Sequence, residues 1–380
     1  MARKRGPSSG QGTRRGLSIQ VTDPTGALVQ HSAAFLDRPT ASVPSTILTR
    51  GRHHNILSAP SGAPAGESLH FAVYSILAEM CFGKDVVSEL GEARLRGMHK
   101  FQRDILLALP SFWVFVKYPR IGKLLYPARW RQLLALRRQQ EESFMPLVAE
   151  VRKRKACRDT TFTSYVESLL KLRVHEDGDR KVTDGELVSL ISEFLGAGTE
   201  SMASALEWTM ANLVKHPELQ RKLRLEVDAV TTRRDSIIEA ADLSRMPYLK
   251  AVVLESLRRH PPVPFVLRHV EGQDADAAEA LGPERFMPGG DGEGADLTCT
   301  RELRMMPFGA GRRICPGLAP AMLYLEYFVA NLVREFEWWE ADGEEVDLAE
   351  FHGSFFTVMD RPLRARLVPR DEAPAARPAT

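Results

Sequence analysis

A mainly α-helical fold follows from three segments of this 380-residue chain in which apolar residues recur every three or four positions. In the first, Thr183-x-x-Glu186 reads as a capping box ahead of Leu187, Leu190, Ile191 and Phe194. That pattern runs into Gly196-Ala197-Gly198-Thr199-Glu200-Ser201, where each glycine costs a helix roughly 1 kcal/mol relative to alanine. Two readings suit such a segment: a polar kink in a core helix, or small residues that leave room for a ligand. In the second segment, LKAVVLESLRRHPP, Leu249, Val252, Val253 and Leu257 share a face. Pro247 suits its N1 position and Pro261-Pro262 stop it. Glu255 and Arg258, three apart, lie on one face, and a solvated pair of this kind contributes a few tenths of a kcal/mol. The third segment runs from Leu318 to Phe336.

Just before the third segment, Phe308-Gly309-Ala310-Gly311-Arg312-Arg313-Ile314-Cys315-Pro316-Gly317 frames a single cysteine. Gly309, Gly311 and Gly317 permit a tight backbone turn that approaches a flat ligand closely. Exposed N–H groups and the positive end of the following helix favour thiolate over thiol. The residues alone also allow a buried structural cysteine in a glycine-rich turn.

Phe308, Gly311, Arg313, Cys315 and Gly317 fill every fixed position of F-x-x-G-x-R-x-C-x-G, so the loop resembles the haem-binding signature of the cytochrome P-450 superfamily. Two further motifs of that family precede it in the expected order: the Glu255-x-x-Arg258 pair and the Pro283-Glu284-Arg285-Phe286 segment. The resemblance implies that Arg285 joins Glu255 and Arg258 in a buried triad bracing the cysteine loop. Gly196 to Ser201 resembles A-G-x-[DE]-T, with serine where threonine is usual. That implies Ala197 and Gly198 beside the cofactor, and Glu200 with Ser201 relaying protons to dioxygen as it is reduced. Cys315 is implied as the axial thiolate on haem iron, with Arg313 and Arg268 pairing with the propionates.

LISEFLGAGTES, PPVPFVLRHV and RMMPFGAGRRICPG most resemble plant microsomal members. The implied fold is mainly α with a small β component, in one domain from Ala27 to Pro369 (27–369). It is preceded by a disordered basic N-terminus (1–26) and followed by a disordered tail (370–380). The implied reaction is monooxygenation: one oxygen atom of O2 enters a small apolar substrate, with electrons from NADPH through an NADPH-cytochrome P-450 reductase. The resemblance places such a chain at the face of the endoplasmic reticulum membrane. No run here approaches the roughly twenty apolar residues of a membrane span, so peripheral contact or a cytoplasmic location is compatible.

The composition excludes several other classes. A net charge of +2 and the lack of a recurring basic-aromatic pattern argue against nucleic acid. Cys81, Cys157, Cys299 and Cys315 have neither disulfide-framework nor zinc spacing. Gly289 to Gly294 lacks a P-loop lysine and reads as a flexible turn, while Arg152 to Lys155 reads as a solvated helix face. Arg301, Arg304 and Arg312 lie near the cysteine and suit an acidic electron donor. Phe355 to Met359 resembles the family's apolar hairpin tip lining the substrate pocket.

Two stretches depart from the family pattern. A Trp-x-x-x-Arg helix that holds the propionates is missing near 62–66, and no tryptophan occurs before Trp113. Between Glu271 and Gly282 the chain is too short for two strands and a helix, although an extended dodecapeptide still spans about 40 Å. A sheet with unpaired edges is expected. These losses carry an alternative: a truncated, non-catalytic remnant, or a faulty gene model, with weak or no haem binding.

Overall fold

The computed structural model describes residues 65–155, 163–174, 179–231, 238–263, 281–302, 304–311, 314–351 and 356–370. The expected N-terminal region, Arg268, Arg312, Arg313 and the VLRHV strand lie outside them. Helix α1 (Ala65–Phe82) is apolar on nearly every side and is buried accordingly, with Leu69, Val73, Tyr74 and Ala78 fully enclosed. Gly83 (φ 93°) and Gly91 (φ 77°) supply the left-handed backbone at the turns into α2 (Lys84–Leu90) and α3 (Glu92–Ala108). A 3₁₀ turn (Leu109–Phe112) leads to the short helices α4 (Trp113–Lys117) and α5 (Pro119–Leu125). Next come α6 (Pro127–Lys155), α7 (Tyr165–Lys171) and the hairpin β1 (Arg173–Val174) and β2 (Arg180–Lys181). The basic end of α6 is ion-paired: Arg152 meets Asp184, and Arg154 meets Glu150 and Glu89.

Helix α8 (Asp184–Lys215) is the spine of the fold, packing on α1, α3, α6 and later helices. Its capping box forms as the sequence implies. Thr183 Oγ1 accepts from the Glu186 N–H at 3.3 Å, and Glu186 Oε2 accepts from the Thr183 N–H at 2.8 Å. Arg180 grips the same carboxylate with two bonds of 2.8 and 2.7 Å and, with the Thr183 bonds, holds its pKa down at about 2. From Leu187 to Val214 most of the helix is buried.

The helix is continuous through its two glycines, and packing explains them. A Cβ on Gly198 would come within 2.9 Å of Leu77 Cδ1 on α1. One on Gly196 would come within 2.9 Å of Gln102 Nε2 on α3, which donates to Ser192 O and Oγ. The glycines therefore admit side chains of the neighbouring helices, and the continuous helix leaves no kink of the sort one sequence reading allowed.

Helix α9 (Pro217–Val230) buries only the stripe Gln220, Leu223 and Val227. After α10 (Ala240–Leu243), α11 (Pro247–Arg259) opens on its proline and ends at His260, ahead of Pro261-Pro262. Helix α12 (Leu318–Glu335) packs between α8, α9 and α11. It leads into β3 (Phe336–Glu340), which pairs antiparallel with β6 (Ala365–Pro369), while β4 (Glu350–Phe351) pairs with β5 (Val358–Met359). Among the described residues the β component is thus three two-stranded ladders. Arg370, where the tail was expected to start, is still anchored by two 2.8 Å bonds to Asp228.

Filling a required gap and filling an open one should have opposite effects. Gly198→Val is expected to destabilise the fold by about 1–3 kcal/mol through overpacking against Leu77. Gly97→Ala on α3, where a Cβ meets nothing within 4 Å, should stabilise it by up to about 1 kcal/mol. Urea unfolding of the two variants beside the parent measures both.

Candidate functional site

The cysteine loop is closed by a bond from the Cys315 N–H to Phe308 O at 2.8 Å. Gly309 (φ 74°) and Gly311 (φ 64°) adopt the left-handed conformation this closure needs, and the Ile314 N–H reaches Gly311 O at 3.1 Å. Cys315 is exposed and sits three residues ahead of α12. Its other side faces packed protein, which pushes the thiol pKa up, against the Gly317 N–H, which lowers it. The net direction corrects the expectation that the loop and helix end alone produce a thiolate. A Cβ on Gly317 would lie 3.6 Å from Sγ, in ordinary van der Waals contact with it.

The implied triad assembles. Glu255 is fully buried and accepts from Arg258 Nε at 2.7 Å and Nη2 at 2.9 Å. The Gly282 N–H adds a third bond at 3.0 Å. Arg285 Nε stands 3.7 Å from the same carboxylate, too far for a hydrogen bond, while its Nη1 binds Asp291 at 2.7 Å. The Gly289 to Gly294 segment is therefore an ordered clasp on Arg285, which corrects the flexible-turn reading. A Cβ at Gly290 would lie 2.2 Å from Arg285 O, so only glycine fits. Arg304 donates to Asp291 O at 2.5 Å and ties the clasp to the segment entering the cysteine loop. Arg304 also pairs with Glu302, and the exposed Arg301 lies 3.8 Å from Asp296. The basic surface foreseen there is partly neutralised.

The α8 motif divides between two sides of its helix. Ala197 is exposed and Ser201, one turn on, is half-buried, with its hydroxyl donating to Ala197 O at 2.6 Å. Glu200 points elsewhere, buried against α1 and α3, with His70 Nδ1 at 3.5 Å and Arg103 Nε at 3.7 Å. Burial pushes its pKa up, but these two neighbours outweigh it and hold the carboxyl below its usual range. The acid of the expected relay is thus an ionised carboxylate in an electrostatic cluster. Sequence reasoning missed His70, His99 and Arg103, and no motif links them to Glu200; only the packing of three helices does.

The C-terminal hairpin is tied directly to α8. Thr357 O accepts from Ser204 Oγ at 2.6 Å and from Trp208 Nε1 at 3.0 Å. His260 stacks on Trp208 with ring centroids 3.8 Å apart and meets Glu350 at 2.7 Å. Phe356 to Met359 are therefore held beside the turn of α8 that follows Ser201. Trp130 packs edge-on against Phe115 and lies under Lys123.

Comparison with known proteins shows the family and the fold. The sequence pattern of the family described as Cytochrome P450 matches residues 57–279 and 276–364. The chain is 38% identical over 340 residues to Cytochrome P450 89A9 of Arabidopsis thaliana, covering 80% of this chain and 65% of that protein. It is 32% identical over 227 residues to Flavonoid 3'-monooxygenase of the same plant, covering 51% of this chain and 44% of the relative. The fold resembles a zebra fish cytochrome P450 structure with abiraterone (TM-score 0.65, 20% identity, 91% of this chain and 82% of that one). It also resembles retinoic acid bound cyanobacterial CYP120A1 (TM-score 0.62, 21% identity, 90% and 78% covered). The chain belongs to the cytochrome P450 family, and it spans less than two thirds of the length of these two plant relatives.

Loss of either arginine tests the triad unequally. Arg258→Met leaves Glu255 charged, buried and short of two bonds, and should cost about 3–5 kcal/mol. Arg285→Met removes only the longer contact and the clasp, and is expected to cost no more than about 2 kcal/mol. Equal losses in chemical denaturation would mean that Arg285 is as tightly coupled to the carboxylate as Arg258.

Proposed function

We propose that this chain is a haem-thiolate monooxygenase acting on a small apolar substrate with O2 and electrons from NADPH through a reductase. The observation that carries the reading is Cys315, presented to solvent on a loop closed by Phe308 O and linked through Arg304, Asp291 and Arg285 to the buried Glu255. The donor chemistry fits: an accessible soft sulfur with an N–H beside it. Bound through Cys315, haem supplies the one-electron and dioxygen chemistry that amino acid side chains lack.

The remaining roles belong to the chain itself. Gly317 donates its N–H toward the sulfur and tempers its charge. Ala197 and Ser201 lie on the open side of α8, where the Ser201 hydroxyl, bonded to Ala197 O, would hold and pass on a proton. Glu200, ionised at rest, accepts protons from the solvent side near Arg103 and hands them across the helix. Phe308 and Gly311 shape the loop, and Arg313 with Arg268 would neutralise the propionates. Phe356 and Met359 would contribute to the apolar wall of the substrate pocket. The exposed Trp113, Val116, Tyr118, Ile121, Leu124 and Leu125, beside Lys117 and Lys123, support peripheral contact with the endoplasmic reticulum membrane. No helix among the described residues is long and apolar enough to cross one.

The reduced carbon-monoxide difference spectrum tests the ligand. Cys315→Ala should abolish the thiolate-type band, and a spectrum matching the parent would exclude Cys315. Ser201→Ala should retain haem and substrate binding while product per NADPH falls about tenfold or more and hydrogen peroxide rises. An unchanged ratio would remove Ser201 from the relay.

A second reading, a remnant that holds haem weakly, is favoured by the missing Trp-x-x-x-Arg segment. Loss of one charge-assisted bond to a propionate removes roughly 1.5–3 kcal/mol of cofactor binding. On that reading, haem occupancy after expression is low, and inserting such a helix after Gly62 raises it. Stoichiometric haem in the unmodified chain would exclude the remnant.

A further inference from the structure

We propose that His70, His99 and Glu200, brought together where α1, α3 and α8 meet, form a binding site for a zinc ion distinct from the cysteine loop. One ligand atom from each lies within 4.8 Å of the other two. Tetrahedral zinc with imidazole and carboxylate ligands at about 2.0–2.1 Å places those ligand atoms about 3.3 Å apart. His70 Nδ1 and Glu200 Oε1 already stand 3.5 Å apart, and drawing in the third ligand from at most 4.8 Å needs a shift of about 1.5 Å or less, within reach of a ring rotation.

Two observations beyond proximity point to a ligand. His70 is 6% exposed, and its Nδ1 has only the 3.5 Å ionic contact with Glu200 Oε1, without a hydrogen bond of good geometry. His99 Nε2 is likewise buried with no partner. Two buried imidazole nitrogens without a hydrogen bond thus lie close to one carboxylate, and an ion between them would satisfy all three groups.

The surroundings suit a held cation site. Arg103 Nε lies 3.7 Å from Glu200 Oε2, the oxygen not facing His70, and so orients the carboxylate from behind. The rings of His70 and His99 are 6.4 Å apart and tilted by 31°, and Tyr74 closes the apolar side 5.0 Å from His99. Two nitrogens and one carboxylate favour zinc over calcium or magnesium, which prefer all-oxygen shells. A water would complete the tetrahedron on the side of the partly exposed Arg103. Zinc binding does not depend on the proposed monooxygenase reading. Any brake it places on Glu200 as a proton carrier does.

Zinc titration of the full purified chain, read by bound metal and by thermal unfolding, tests the site. One zinc per chain and a raised Tm are expected. His99→Gln, on a half-buried position, should weaken binding about tenfold or more, and His70→Ala with His99→Gln should abolish it. Cys315→Ser should leave it unchanged. Cobalt in place of zinc should give visible ligand-field bands without a sulfur-to-metal charge-transfer band. Failure to bind zinc, binding equal in parent and His99→Gln, loss on Cys315→Ser, or a sulfur charge-transfer band would each overturn the proposal. All of these readouts are independent of haem and turnover.

Discussion

A single carboxylate with no contact with water organises the cysteine end of the molecule. Glu255 is charged and fully buried, a state tolerated only because Arg258 gives it two short bonds and the Gly282 N–H a third. Those requirements fix more than α11. Gly282 opens the Pro283–Phe286 turn, so satisfying Glu255 places that turn, and with it Arg285. Arg285 then binds Asp291, whose backbone oxygen takes Arg304 on the strand of chain entering the cysteine loop. The position of an exposed sulfur is thus set by the desolvation of a distant acid.

The other half of the site is governed by helix geometry. Successive residues on α8 are about 100° apart around the axis, so Glu200 and Ser201 cannot both face the same opening. The helix resolves this by putting Ala197 and Ser201 on the open side, with Glu200 among His70, His99 and Arg103 on the packed side. A relay between the two therefore crosses the helix, and the same division creates a polar cluster within an otherwise apolar contact. Gly196 and Gly198 belong to that contact, because a Cβ at either would press on the tip of Gln102 or Leu77 from the neighbouring helix.

Much of this was legible in the residues. The capping box at Thr183, the proline start of α11, its stop before Pro261 and the helix after Gly317 are local decisions, made by hydrogen bonds and dihedral limits within a few residues. The Glu255, Arg258 and Arg285 triad was legible through family resemblance, since its members are specific in type and order. The acidic glycine turn was misread as flexible because its order comes from Arg285 and Arg304, not from its own composition.

The sequence by itself determined which segments are helical, which cysteine stands on a glycine-framed loop and which family the chain resembles, because these depend on short-range pattern. Only the tertiary structure decided what the glycines of α8 accommodate, on which side Glu200 lies and which histidines meet it. His70 and His99 sit on different helices, and their separation is fixed by packing against α8. The direction of the Cys315 pKa was likewise a tertiary result, since desolvation by protein many residues away outweighs the local N–H that the sequence makes visible.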